Sequence, residues 1–145
     1  MLSMKAVASA VLLSAVLAAG CSNNPTTTTT PTSTTSTNFT EVFTGSLAVK
    51  DSSFYSFTVL QKSNVYLMLA SMTVAPPGPA VSIPVKLGLG VPAGIGCGLT
   101  QSAIVAPALT AQIGVTLDPG IYCVNIEDVG NLTFPVAFAI RIVHQ

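Results

Sequence analysis

Apolar side chains fall at every second position through most of the chain beyond residue 38, which is the period of a strand that buries one face. Phe43, Leu47 and Val49 share one parity, and after the polar break Lys50-Asp51-Ser52 the set Tyr55, Phe57, Val59 resumes it, turning Ser56 and Thr58 to water. Val65, Leu67 and Leu69 follow, with Tyr66 and Met68 on the other parity, and predict a strand covered on both faces. Further sets are Val85, Leu87, Leu89; then Leu109, Ala111, Ile113, Val115, Leu117; then Tyr122, Val124, Ile126; and last Phe134, Val136, Phe138, Ile140, Ile142.

The breaks between these sets have their own chemistry. Residues 73–84 hold Pro76-Pro77-Gly78-Pro79 and predict a loop, because proline has no N–H to give to a ladder. A glycine-dense bend runs through Gly98. In Asp118-Pro119-Gly120, proline presets its own φ and glycine accepts a positive one, so the triplet predicts a turn. Glu127-Asp128-Val129-Gly130-Asn131 forms a polar corner. Seven or eight short strands with one apolar face each need a second sheet to cover them. The pattern therefore predicts an all-β fold, an antiparallel β-sandwich, with a small β-barrel as the alternative because alternation alone does not separate closure from sandwiching.

The first 38 residues lack this pattern. Lys5 precedes an uncharged apolar and small-residue run from Ala6 to Ala19, the layout of an export signal, and the run is shorter than the about 20 residues that span a bilayer. It ends in Leu17-Ala18-Ala19-Gly20-Cys21, which resembles a bacterial lipoprotein signal. That resemblance implies cleavage before Cys21, acylation of its sulfur and new amino group, and anchoring without a span. Ala18 departs from the pattern, since the family usually carries a larger aliphatic residue there. Ser22, not Asp, follows the cysteine, which implies the outer membrane if the sorting of enteric Gram-negative lipoproteins applies. The alternative is an ordinary secretory signal that leaves Cys21 as a plain thiol. Residues 22–38 hold Thr, Ser, Pro and Asn with no charge and no large apolar side chain, so they cannot offset the entropy of ordering. The expected organisation is a signal peptide over 1–20, an acylated Cys21 with a disordered tether to 38, and a folded domain over 39–145.

Charge narrows the range of partners. Charged residues make up only 7% of the chain. Lys50, Lys62, Lys86 and Arg141 against Glu41, Asp51, Asp118, Glu127 and Asp128 leave the folded segment near minus one. Nothing here provides the basic surface that nucleic-acid binding requires. A mean hydropathy of +0.69 with so few charges predicts an exterior of Thr, Ser, Asn and Gln, or a partly apolar face that meets a partner.

With Cys21 assigned to the anchor, Cys97 and Cys123 remain, an even pair in an exported chain and the expected disulfide. Two free thiols, or a metal site assisted by His144, is the alternative. Cys123 has the opposite parity to Tyr122 and Val124, which puts the bridge on the outside of its strand. Asn125, Glu127, Asp128 and Asn131 collect oxygen donors at one corner and form a weak calcium candidate. Their spacing matches no calcium loop, and Asp and Asn are frequent turn formers. Gly88, Gly90, Gly94, Gly96 and Gly98 form no phosphate loop: Ala93 stands in the third glycine place and no helix follows, so a loop or bulged strand edge is expected. His144 is the only histidine and lies beside the chain end, where strands commonly fray. No elbow motif marks a serine, and four of the five carboxylates adjoin turns. No catalytic residue and no cofactor is assigned.

Phe54-Tyr55-Ser56-Phe57-Thr58-Val59, Val65-Tyr66-Leu67-Met68-Leu69 and Leu117-Asp118-Pro119-Gly120-Ile121-Tyr122-Cys123-Val124 together resemble the bacterial pre-peptidase C-terminal type of domain, over most of Phe39 to Val143. The resemblance implies a β-sandwich that serves as an accessory module of secreted enzymes, here without the enzyme. The expected function is a non-catalytic exported lipoprotein that binds an envelope protein or glycan. A structural envelope component without a recognition site, and a small hydrolase using His144, are the alternatives.

Overall fold

A computed structural model describes residues 37–75 and 78–145. The expected signal peptide, the acylated Cys21 and the tether up to residue 36 lie outside them. Eight strands form: β1 (Phe39–Leu47), β2 (Ser52–Val59), β3 (Ser63–Val74), β4 (Val85–Ala93), β5 (Gly96–Val105), β6 (Ile113–Leu117), β7 (Gly120–Glu127) and β8 (Val136–His144). Pairing is antiparallel throughout, in the orders β1-β8-β3-β6 and β2-β7-β4-β5. The two four-stranded sheets pack face to face as a sandwich, and neither closes into a barrel. This strand order is that of an eight-stranded jelly roll.

β8 shows how the alternation builds the core. Val136, Phe138, Ile140 and Ile142 are buried, and Arg141 between the last two is exposed. They join Val65, Leu67 and Leu69 of the same sheet and face Phe57, Val59, Leu87, Leu89, Val124 and Ile126 of the other. Ser56 and Thr58 are exposed, as their parity requires.

Several boundaries differ from the expected pattern. Met68 is 7% exposed and Tyr66 43%, so the outer side of β3 is covered only part of the way along. Val49 is exposed in the turn after β1 and belongs to no strand. β3 runs to Val74 and is bridged from Thr73 to Ala80, which shortens the predicted loop. Phe134 lies ahead of β8, before Pro135. β5 was not legible as a strand because it is an edge strand, with only Ala103 and Val105 packing against the core. Leu109 is 81% exposed, and β6 begins only at Ile113. The preceding segment straps β3 without joining the sheet. Leu69 N–H donates to Gln112 Oε1 at 2.7 Å, Ala108 N–H to Leu69 C=O at 2.8 Å, and Gln112 N–H to Leu67 C=O at 2.9 Å. Buried backbone groups must find partners, and here one side chain stands in for a strand.

The glycine-dense bend is the β4–β5 hairpin, with a register shift between Leu89 and Gly90, so the bulged edge is present. The first residues of β5 lie across the outer face of β4. A Cβ at Gly90 would run into the carbonyl oxygen of Gly98, and one at Gly88 would stand 2.8 Å from Leu99 Cδ2. The Cys97–Cys123 disulfide, with its Cα atoms 5.8 Å apart, fastens this layer, and Cys123 is fully buried beneath it.

Candidate functional site

β1 and β2 are edge strands of the two sheets and lie beside one another. Midway along them the gap is closed by Tyr55. Its ring stacks on Phe43 at 5.0 Å between centroids and meets Phe138 edge-on at 6.2 Å. Its hydroxyl donates to the Thr44 carbonyl at 3.2 Å. Where β1 begins and where β2 and β8 end, the gap stays open. A cleft of about 310 Å³ is lined there by Phe39, Thr40, Glu41, Thr58, Leu60, His144 and Gln145. Phe39 is 54% exposed and Leu60 77%, so its rim is apolar.

His144 forms the polar end of this cleft. It continues the inward parity of Ile140 and Ile142, pairs in register with Phe39 as the last residue of β8, and is 5% exposed. Its Nε2 lies 2.8 Å from Glu41 Oε1, and Nδ1 lies 3.4 Å from the Gln145 carbonyl oxygen. A carboxylate can only accept, so Nε2 carries a proton and donates it. The rings of Phe57 and Phe39 stand 5.8 and 6.2 Å away. Both ring nitrogens therefore face acceptors. Among the described residues no Ser or Thr hydroxyl is bonded to the ring, whereas nucleophilic catalysis needs a nucleophile hydrogen-bonded to its base. Phe39, Glu41 and Leu60 were not singled out from the sequence. The available signal was a carboxylate on β1 and a histidine on β8, both at inward parity.

The polar corner is structural in its bonding. Asp128 Oδ2 accepts from Lys50 N–H at 2.8 Å, and Oδ1 from the N–H groups of Gly130, Asn131 and Leu132 at 2.9, 2.9 and 3.1 Å. The Lys50 N–H, with smaller help from Leu132, Gly130 and Asn131, holds the Asp128 carboxyl below the usual range against the opposing effect of burial. Glu127 pairs with Lys86, and Asn131 Nδ2 donates to the Pro84 carbonyl at 2.9 Å. Asn125 Oδ1 is buried without a hydrogen-bond partner, on the outer face opposite Phe54 and Gly88. Glu127, Asp128 and Asn131 are thus each engaged elsewhere, Asn125 lies apart from them on the outer face of β7, and no group of three or more His, Cys, Asp or Glu suited to a metal ion occurs among the described residues.

No family model matches this chain, and no curated protein matches it. Among solved structures, it is similar to the Yersinia pseudotuberculosis-derived mitogen, with 10% identity, 75% of this chain and 86% of that one covered, and a TM-score of 0.45. It is also similar to the periplasmic inhibitor of g-type lysozyme from Salmonella Typhimurium, with 14% identity, 73% and 87% coverage, and a TM-score of 0.43. Likeness of this degree assigns no role.

Proposed function

We propose that this chain is a non-catalytic, exported, lipid-anchored binding module, which takes an apolar side chain of an envelope protein into the cleft between β1 and β2. The cleft carries the reading. Ligand sites are concave and mostly apolar with a few fixed polar groups, and here Phe39 and Leu60 supply the walls and the Glu41–His144 pair the polar end. Export is supported by the Lys5 to Cys21 segment and by the disulfide, a bond that persists in oxidising compartments. The resemblance to the pre-peptidase C-terminal type of accessory module fits the same role. Anchoring at Cys21 would hold the cleft near the membrane, on the outer-membrane side if Ser22 acts as the sorting residue.

A photoreactive amino acid placed at Leu60 in living cells tests the binding role. One discrete adduct is expected from position 60, weakened when Phe39→Asp is added, and none from the equally exposed Leu109. Absence of any adduct at position 60 would return the chain to a structural envelope role.

A further inference from the structure

The outer face of the β1-β8-β3-β6 sheet is separate from the cleft and has an unusual charge pattern. Its strands turn Thr, Ser, Ala, Val, Tyr and Asn outward, and a single charge, Arg141, stands on the inner strand β8 with Val42 on one side and Met68 on the other. No carboxylate among the described residues pairs with it. Tyr66 is its diagonal neighbour, since Met68 is directly opposite Arg141 and Tyr66 lies two residues back along β3. Such neighbours lie about 7–8 Å apart on a sheet, within reach of a long side chain.

Beside Tyr66 the surface sinks into a shallow depression of about 380 Å³, lined by Asn64, Tyr66, Gly114, Val115 and Thr116. Gly114 lies opposite Tyr66 in register, and a Cβ there would sit 3.4 Å from ring atoms Cδ1 and Cε1. The missing side chain lets the ring settle over β6 while the residue stays 43% exposed. Thr116 Oγ1 donates to Asn64 Oδ1 at 2.7 Å. That bond uses the hydroxyl proton and leaves two donors on Asn64 Nδ2 and lone pairs on Thr116 Oγ1 facing water.

We propose that this face binds an acidic sugar, with a pyranose ring on Tyr66, its hydroxyls on Asn64 and Thr116, and its carboxylate on Arg141. Each component follows from the chemistry present. An exposed ring offers an apolar platform, fixed amide and hydroxyl groups match a polyhydroxyl edge, and an unpaired guanidinium presents a planar fork to a carboxylate. A protein partner suits the face less well, because interface hot spots gather in well-packed desolvated pockets and this depression is open and shallow. The site stands without the cleft.

The test is calorimetric titration of the full chain in neutral detergent with trigalacturonic acid, its neutral methyl ester, 3′-sialyllactose and lactose. At least one acid should bind about tenfold tighter than its neutral counterpart, a difference of about 1.4 kcal/mol. Arg141→Gln should lower that acid to the affinity of its neutral counterpart, Arg141→Lys should retain part of the preference, and Tyr66→Ala should weaken both at least tenfold. Both positions are exposed, so the melting temperature should not move. No binding of either acid at millimolar concentration, equal binding of acid and neutral sugar, or indifference to Arg141→Gln would overturn the proposal. Preference for phosphatidylglycerol vesicles would give the face to a lipid surface, and a dimer dissolved by Tyr66→Ala would give it to a second copy; either result also overturns it.

Discussion

Asp128 and Gln112 do more for this fold than their position in polar stretches suggests. Each replaces backbone partners that no strand provides: Gln112 satisfies Leu69 where β6 has not yet begun, and Asp128 receives four N–H groups. One of those four comes from Lys50, whose φ of +59° lies in the left-handed region that non-glycine residues rarely occupy. The carboxylate thus fixes the turn between β1 and β2 from the far side of the sequence. The sequence showed oxygen donors at a corner, and donors in a turn read equally as cation ligands or amide acceptors until the amides are placed. Because the folded-state pKa of Asp128 is depressed, its contribution is fully present above the unfolded value of about 3.9 and disappears as pH falls through the folded value. Asp128→Asn should therefore be clearly less stable than the parent at pH 7, since one amide N–H₂ must then face donors. The deficit should shrink as the parent is protonated below about pH 3.9. Urea unfolding of both proteins across that range measures it, and a deficit that stays constant with pH would remove the carboxylate charge from the explanation.

At the level of elements, the β4–β5 hairpin departs most from simple alternation. Its outer side carries a second covering layer, made possible because Gly88 and Gly90 have no side chains and Gly96 to Leu99 can fold onto them. The disulfide pins that layer to the neighbouring strand β7 across 26 residues of sequence. Closing such a loop stabilises by about 3.5 kcal/mol on the chain-entropy argument. Replacing both cysteines by alanine should cost about that much in guanidinium unfolding while leaving the sheet order intact. The two glycines should respond differently. Alanine at Gly90 meets a backbone carbonyl, which cannot swing away, and should cost about 1–3 kcal/mol. Alanine at Gly88 meets only the far end of Leu99, which can change rotamer, and should cost less. Equal costs at the two sites would mean that β5 is not held against β4 in this way. The glycine run excluded a phosphate loop on sequence grounds, but no periodicity announced a covering layer, because the residues that permit it are those without side chains.

For the whole molecule, legibility followed burial. Strands whose inward side chains pack on the core, the inner strands β7 and β8 and also the edge strands β2 and β6, appear in the alternation, and the need to cover their apolar sides already implied a sandwich. The edge strand β5, with only Ala103 and Val105 against the core, carries no such alternation, and the candidate cleft escaped notice because alternation within a strand does not say that the edges β1 and β2 lie beside one another. The same geometry sets where the folded unit should start. Phe39 opens β1 in register with His144, whereas residues 37 and 38 are exposed and outside any strand. A chain beginning at Thr37 should melt at the temperature of the longer protein, because the removed Thr-rich residues have no apolar surface to contribute to the core. A chain beginning at Val42 loses Glu41, the partner of His144, a side chain only 5% exposed. Leaving such a buried polar group unsatisfied costs about 1–3 kcal/mol. Restoring residues 39–41 should recover the whole difference, and restoring them with Glu41→Ala should recover only the share owed to Phe39 and to the first ladder bonds. If the chain from Thr37 already melts several degrees low, the residues before it take part in the fold and the tether assignment is wrong. If the chain from Val42 is as stable as its parent, the Glu41–His144 pair does not hold the end of the sandwich, and the polar end of the proposed cleft loses its support.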